Sequence, residues 1–232
     1  MRLLKYLVSF FLLFAFLFAV SCSKTPVNGV DGAPGAYTII FQNESSPVLT
    51  YTGCSDASIA GGGAFTTMCY GNFSGATLVG YISSAGPMRR VTKFDISGYL
   101  PAATVVTRAY VVYFSGVSVI QPSGVTVTAY ALTEDWDESE VNWQDKSSGT
   151  PWSAAGGTYA ASPVSSPTYC GETFTYIEID ASVVQAWVDN PSSNYGILLK
   201  PSNETSQHGT YLTNDEGSGV YAPKLIIHYN LK

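Results

Sequence analysis

The stretch Val125-Thr-Val-Thr-Ala-Tyr130 alternates small apolar side chains with two threonines and a tyrosine. A period of two sends successive side chains to opposite faces of a β-strand, so one face of this strand is expected to be buried. Lys224-Leu-Ile-Ile-His-Tyr229 repeats the pattern, with Leu225 and Ile227 on the face that Tyr229 shares. Both stretches therefore predict strands of half-buried sheets.

Further runs rich in Val, Ile, Thr, Tyr and Phe occur along the chain, for example at residues 37–41 and 91–96. Clusters of Gly, Pro, Ser and Asn separate these runs, as turns separate strands. Many short strands with frequent turn residues predict an all-β fold, and more specifically a β-sandwich of the jelly-roll type.

Residues 180–191 depart from the alternating pattern. Val184 and Trp187 belong to an apolar set at helical spacing, which begins after an aspartate and stops at Pro191. An N-cap candidate, an amphipathic run and a proline stop together predict one short helix near residues 181–189.

The first residues predict the compartment. Met1-Arg-Leu-Leu-Lys5 supplies a positive start, and residues 6–20 form an almost unbroken apolar run. This pattern is typical of a signal peptide, which we expect to span residues 1–21. Ala19-Val-Ser-Cys22 resembles the lipobox of bacterial lipoproteins, so lipidation of Cys22 is predicted. Because Leu usually stands where Ala19 does, ordinary cleavage before Cys22 is the alternative.

The segment after the leader is expected to tether the rest of the chain. Residues 22–36 contain glycines at triplet spacing and no strand pattern, which favours a flexible linker. Residues 37–232 are enough for a single β-sandwich domain with its own core. Ser23 stands where an inner-membrane retention signal has Asp, so the outer membrane or the extracellular side is expected. Membrane contact is expected through the lipid anchor only.

Charge and motifs exclude several function classes. The chain carries 11 Lys and Arg against 17 Asp and Glu, a net charge of −6, which lacks the basic footprint of a nucleic-acid-binding protein. Only two histidines occur, and neither a G-x-S-x-G elbow nor a phosphate-binding loop is present. We therefore expect that the protein is not an enzyme.

Three cysteines follow Cys22 in a compartment where disulfides persist. Cys54 and Cys69 flank a triple-glycine loop and are predicted to form a disulfide. Cys170 is then expected to be buried as a small apolar side chain.

Five residues are candidates for binding a sugar. Trp152, Tyr159 and Tyr169 lie in a loop-like stretch, where rings can serve as platforms for the apolar face of a pyranose or can pack within the loop. Arg89 and Arg90 could pair with the carboxylates of uronic acids through their planar guanidinium groups, or with acidic residues of the chain itself.

A metal site is a further candidate. Asp56, Asp215 and Glu216 are expected to approach one another where the first and last strands are neighbours. Carboxylate oxygens are the ligands that Ca²⁺ prefers, so these three residues are candidates for a structural Ca²⁺ site. No other cofactor is expected.

Four blocks of sequence carry a family resemblance. One of them, Glu134-Asp-Trp-Asp-Glu-Ser-Glu-Val-Asn-Trp143, resembles a stretch of the family in which acidic residues and a valine lie between two tryptophans. The others are residues 89–105, 184–200 and 211–229. In this order they resemble the DNRLRE domain, a disaggregatase-related family also called carbohydrate-binding module family 96. The resemblance implies a β-sandwich of secreted and surface proteins that binds polysaccharides, including acidic polymers such as alginate, without catalysis.

Taken together, leader, composition and resemblance predict a surface lipoprotein module that binds polysaccharide without cleaving it. Two alternatives remain at this point. One is a structural or adhesive cell-surface protein that binds another protein or the matrix, and the other is a polysaccharide lyase or glycosidase.

Overall fold

The computed structural model describes most of the chain after the leader. The described residues are 27–28, 36–43, 51–116, 124–171, 173–215 and 219–232. Cys22 and Glu216 lie outside them, as does the predicted signal peptide. Within the described ranges, no helix is both long enough and apolar enough to span a membrane.

The described part contains fifteen strands, one α-helix and three short 3-10 turns. The strands are β1 (Val27–Asn28), β2 (Tyr37–Phe41), β3 (Cys54–Ala60), β4 (Ala76–Ile82), β5 (Gly86–Phe94), β6 (Thr104–Gly116), β7 (Val125–Leu132), β8 (Asp145–Ser147), β9 (Thr150–Pro151), β10 (Tyr159–Pro163), β11 (Thr168–Cys170), β12 (Phe174–Ile179), β13 (Ile197–Pro201), β14 (His208–Thr213) and β15 (Lys224–Leu231). The helix α1 is Ala181–Asp189, and the 3-10 turns are Gly63–Thr67, Pro191–Ser193 and Gly219–Tyr221.

All strand pairs are antiparallel, and most strands form two connected sheets. Sheet A has the order β1-β2-β15-β6-β12. Sheet B runs β14-β4-β5-β13-β7, with β3 along the other edge of β5 and with β10 and β11 both pairing β7. The long strand β6 joins the sheets, because its last two residues pair β14. The prediction of an all-β sandwich is confirmed, and two residues of the predicted tether form β1.

The alternating strands bury one face between the sheets, as expected. On β7, Val125, Val127 and Ala129 are buried, while the intervening threonines and tyrosine are half-buried on the opposite face. On β15, Leu225 and Ile227 enter the same core. Each fully buried branched side chain stabilises the fold by about 1.5–3 kcal/mol relative to exposure, so this core fixes the register of both sheets.

The predicted helix is confirmed, and it packs on the same core. Val184 and Trp187 of α1 are buried in the cluster between the sheets. Gln185 fastens the helix to β6, because its side chain accepts a hydrogen bond from the amide of Val106 at 2.8 Å. The helix ends before Pro191, which cannot continue its hydrogen bonding.

A second core covers the outer face of part of sheet B. The segment 133–158 folds over β5 and β13 and places Trp152 against a cluster that contains Val91 and Leu198. Trp152 is 4% exposed, and its indole nitrogen donates to the carbonyl of Asn142 at 3.0 Å. The expectation that Trp152 is an exposed platform is therefore wrong, because its ring fills the space between this segment and the sheet.

The predicted disulfide is absent from the structure. Cys54, at the start of β3, is buried in the core between the sheets, whereas Cys69 lies exposed in a loop, and both are free thiols. The Cys69 thiol instead donates to the carbonyl of Glu138 at 3.2 Å. The two cysteines flank the loop in sequence, but their side chains point to different surroundings. Cys170 is buried as predicted.

Candidate functional site

Three carboxylates converge at one end of sheet B. Asp56 of β3, Glu138 of the 133–158 segment and Asp215 after β14 each offer an oxygen, and these oxygens lie within 4.8 Å of one another. The structure thus brings together Asp56 and Asp215, as the sequence predicted. Glu138 was missed, since its position follows from the fold of a long irregular segment, and Glu216 lies outside the described residues.

Arg90 is the cation of this cluster. It is fully buried, and its Nη2 lies 2.7 Å from Oδ1 of Asp56. The same guanidinium donates to the hydroxyl of Thr77 at 2.5 Å, to Oδ1 of Asn214 at 2.6 Å and to the carbonyl of Thr213 at 2.9 Å. The candidate role of Arg90 in binding a sugar is therefore wrong, because this face of β5 points into the protein.

The donor set of the cluster fits a hard divalent cation. Two backbone amides donate hydrogen bonds to these carboxylates. The amide of Asp56 donates to Oε1 of Glu138 at 2.5 Å, and the amide of Asp215 donates to Oδ2 of Asp56 at 2.9 Å. Three carboxylates against one guanidinium leave an excess of negative charge. The effect is seen at the neighbouring Cys54. Burial is the main cause that holds the pKa of its thiol well above the usual range, and the negative charges of Asp56 and Asp215 raise it further. Ligand distances of 2.3–2.6 Å allow oxygens up to about 5 Å apart on one Ca²⁺.

A row of tyrosines crosses the outer face of sheet B. Tyr169 of β11 pairs in register with Thr126 of β7. Tyr130 lies four residues after Thr126 on β7. At the strand rise of antiparallel sheets, four residues place these two levels about 13 Å apart. We name the outward side chains of this row the tyrosine strip. Its members are Thr126, Thr128, Tyr130, Tyr159, Tyr169 and Lys200.

The Tyr169 ring lies against the backbone of two glycines, Gly124 and Gly171. An added Cβ at Gly124 would stand 2.2 Å from the Tyr169 hydroxyl, and one at Gly171 would stand 2.9 Å from the ring. The ring therefore occupies space that any side chain at these two positions would fill. Gly124 also has a positive φ of 84°, which favours glycine. Tyr169 is 63% exposed. Its predicted exposure is confirmed, although its role remains a prediction.

The other end of the strip carries a pair of rings, and a lysine lies midway along it. The rings of Tyr130 and Tyr159 lie 5.0 Å apart between centres. Lys200 is in register with Thr128, midway along the strip, and its ammonium is 5.8 Å from the centre of the Tyr159 ring. The sequence offered Tyr159 but not Lys200, which becomes a candidate only when β13 is placed beside β7.

Arg89 supports this end of the strip from beneath. Its guanidinium carbon is 4.6 Å from the centre of the Trp143 ring and 5.7 Å from that of Tyr159. Its Nε and Nη2 donate to the two carboxylate oxygens of Glu204 at 2.7 and 3.0 Å, and its Nη1 donates to the carbonyl of Gly156 at 2.7 Å. Because each nitrogen has a protein acceptor, Arg89 is placed to position Tyr159 rather than to bind a ligand itself.

A second group of rings covers the outer face of sheet A. Tyr110 and Phe114 of β6 contact Tyr176 and Phe174 of β12, with ring centres 6.3 and 5.1 Å apart respectively. Tyr221 adds a ring 4.6 Å from Phe114. We name this surface, together with Lys224, the aromatic face. Sequence reasoning missed it, although Phe174 and Tyr176 on β12 stand two residues apart, as outward side chains of one strand do.

These features define an antiparallel β-sandwich with exposed aromatic rings on both outer faces. A family model described as the disaggregatase related repeat domain matches residues 71–227, which is 157 of the 232 residues. The chain belongs to this family. A comparison with curated proteins found no match. The narrower resemblance to carbohydrate-binding module family 96 stays a prediction.

Proposed function

We propose that this protein is a non-catalytic surface module that binds polysaccharide along the tyrosine strip. The observation that carries the proposal is Tyr169, which is 63% exposed and whose ring lies against the backbone of Gly124 and Gly171. A pyranose has an apolar face of similar size, and a fixed ring can stack on it at little cost in side-chain entropy. Membership of a disaggregatase related family is consistent with a carbohydrate-associated role.

The spacing of the strip suits a chain of sugars rather than a single unit. Tyr169 and the pair of Tyr130 and Tyr159 form platforms about 13 Å apart. Between them, the hydroxyls of Thr126 and Thr128 are available on the same face to hydrogen-bond sugar hydroxyls. A polymer lying along the strand direction would contact both platforms and the polar groups between them.

Local charge favours an acidic polymer. Among the described residues, Glu204 is the one carboxylate that pairs with Arg89 and Lys200, so two cations stand against one carboxylate. The chain as a whole has a net charge of −6, which repels a polyanion elsewhere. A carboxylated sugar at the middle of the strip would therefore meet its attractive charge at Lys200.

Glu134, a half-buried carboxylate of the acidic 134–140 segment, has a structural role. Glu134 accepts hydrogen bonds from the amide of Ser153 at 3.3 Å and from the Lys146 ammonium at 2.9 Å. These bonds lower the pKa of Glu134 to about 2. A general acid for glycoside hydrolysis needs a raised pKa, so Glu134 is unsuited to that role and supports the non-catalytic proposal.

We further propose that Cys22 carries a lipid anchor, which would hold the module on the outside of the bacterial cell envelope, at the outer membrane. The lipobox-like sequence before Cys22 supports this proposal. Mass spectrometry of the N-terminal peptide tests it: a diacylated Cys22 is expected, and an unmodified Cys22 at the mature N-terminus would contradict it.

Affinity electrophoresis in gels that contain alginate, polygalacturonate or a neutral β-glucan tests the proposed function. Retardation is expected in the uronic-acid gels, without release of reducing ends or unsaturated products. Covering one face of Tyr169 would bury roughly 50–80 Å² of ring, which contributes about 1–2 kcal/mol. Tyr169→Ala should therefore weaken binding about tenfold.

Two further variants complete the test. Tyr169→Ala combined with Tyr159→Ala, the strip variant, should be retarded less than wild type. Phe73→Ala is the matched control, because Phe73 is another exposed ring, 55% accessible, that belongs to neither the strip nor the aromatic face. Equal retardation of the strip variant and wild type would overturn the proposal for this site, and unretarded wild type on every gel would overturn polysaccharide binding.

A further inference from the structure

The aromatic face repeats the arrangement of the tyrosine strip on the opposite side of the sandwich. Tyr110 and Phe114 are four residues apart on β6, which places their rings' levels about 13 Å apart. Lys224 is in register with Val112, midway between them. In the strip, Lys200 is likewise in register with Thr128, midway between two ring levels. Both surfaces therefore have a lysine centred between two aromatic platforms.

The two surfaces point in opposite directions. β6 sends Val111 and Tyr113 into the core between the sheets, and β7 sends Val125 and Val127 into the same core. The intervening residues of both strands must then face outward, away from each other. Packed sheets are about 10 Å apart, so a single extended polymer segment cannot lie on both surfaces at once.

Charge on the aromatic face selects an anionic occupant. Arg108 and Glu178 form an exposed ion pair at 2.8 Å and balance each other. The Lys224 ammonium lies 5.1 Å from the centre of the Phe174 ring, and no carboxylate of the described residues lies within ion-pair distance of it. Burial lowers the pKa of Lys224. A ligand carboxylate would stabilise this partly desolvated cation more than the hydroxyls of a neutral glycan or an apolar protein surface would.

We propose that the aromatic face is a second binding surface for an acidic polysaccharide, so that one protein molecule joins two polymer chains. This inference rests on the proposed function, since it assigns to the second face the ligand class argued for the first. A module with two opposed sites cross-links its polymer, whereas a module with one site only coats it. The role implied is to hold acidic matrix chains together at the cell surface.

Calorimetry and light scattering with the purified protein test the inference. Titration with hexasaccharides of galacturonate and of mannuronate should give about two ligands per protein molecule. Addition of the protein to polygalacturonate or alginate should raise light scattering through cross-linking. The face variant combines Tyr176→Ala with Phe174→Ala. It should bind one ligand and remain retarded in the gels, but it should produce no cross-linking. Both rings are exposed enough for the variant to fold, and its unfolding temperature checks this.

The outcomes separate the second surface from the first. If wild type binds one ligand and the strip variant binds none, the second surface is refuted while the proposed function stands. If wild type binds no ligand, both proposals fail together. If analytical ultracentrifugation shows a ligand-free dimer that the face variant abolishes, the aromatic face is an interface between two copies, and the inference is overturned. Two ligands in wild type and one in each variant would support it.

Discussion

Arg90→Met is expected to be among the most destabilising single substitutions in this protein. The guanidinium is the only cation within the carboxylate cluster of the described residues, 2.7 Å from Asp56, and both side chains are completely buried. Removing one partner of a buried ion pair leaves the other charge uncompensated, which costs about 3–5 kcal/mol. For a domain of this size each kcal/mol shifts the unfolding temperature by about 2–4 °C, so a fall of about 6–20 °C is expected.

The assay is urea unfolding followed by fluorescence, with thermal unfolding alongside it. Arg108→Met is the matched control, because Arg108 forms an ion pair of similar length with Glu178 at the surface, where the side chains are 57% and 55% exposed. Exposed pairs contribute about 0–1 kcal/mol, so the control should unfold close to wild type. If Arg90→Met loses less than about 1 kcal/mol, like the control, the account of the cluster as a buried charge network is refuted.

Three further predictions follow from individual sites. We propose that Ca²⁺ binds the carboxylates of Asp56, Glu138 and Asp215. At about one hundred times its dissociation constant Ca²⁺ would contribute about 2.7 kcal/mol, so EGTA should lower the unfolding temperature by about 5–11 °C. Glu138→Gln should remove that response, and identical unfolding in EGTA and Ca²⁺ would contradict Ca²⁺ binding at this cluster. The pKa of Glu134 is lowered to about 2 in the folded protein. Its contribution to the free energy of unfolding is therefore fully present above the pKa of about 4.3 that a glutamate has in the unfolded chain, and it is lost as the pH falls toward 2. Glu134→Gln should therefore cost about 2–3 kcal/mol at pH 7 and almost nothing near pH 2 in urea titrations, and a difference independent of pH would refute this account. Gly124→Ala should reduce retardation of the protein in polysaccharide gels, because the new methyl group would stand 2.2 Å from the Tyr169 hydroxyl and collide with it. Gly63→Ala is the control and should bind normally, because Gly63 also has a positive φ but an added Cβ there would meet nothing within 4 Å.

The fold was predictable where a strand or helix carries its own periodicity. β7 and β15 alternate without interruption, and α1 has its buried residues at helical spacing before a proline. Trp152 could not be assigned in this way, because the segment that contains it is irregular and its burial depends on lying over sheet B. The apolar residues that cover an outer sheet face have no local pattern that distinguishes them from exposed loop residues.

The candidate sites were predictable only in part, for a related reason. Asp56 and Asp215 were expected to meet where the first and last strands are neighbours. They do meet, although β3 pairs β5 and Asp215 follows β14, which pairs β4 and β6, whereas Glu138 reaches them from the irregular 133–158 segment. Lys200 and Lys224 acquire their positions from strand register, which a single sequence does not reveal. Sequence reasoning therefore identified ring candidates but not the cations centred between them.

The neighbours Arg89 and Arg90 show how one strand can serve two sites. Consecutive residues of β5 point to opposite faces, so two side chains of identical chemistry enter different surroundings. Arg90 turns inward and compensates the buried carboxylates, whereas Arg89 turns outward, binds Glu204 with two hydrogen bonds and supports the ring of Tyr159. A charge change in the cluster that shifts β5 would therefore also move one platform of the tyrosine strip. Arg90→Met is then expected to weaken the proposed polysaccharide binding even in molecules that remain folded.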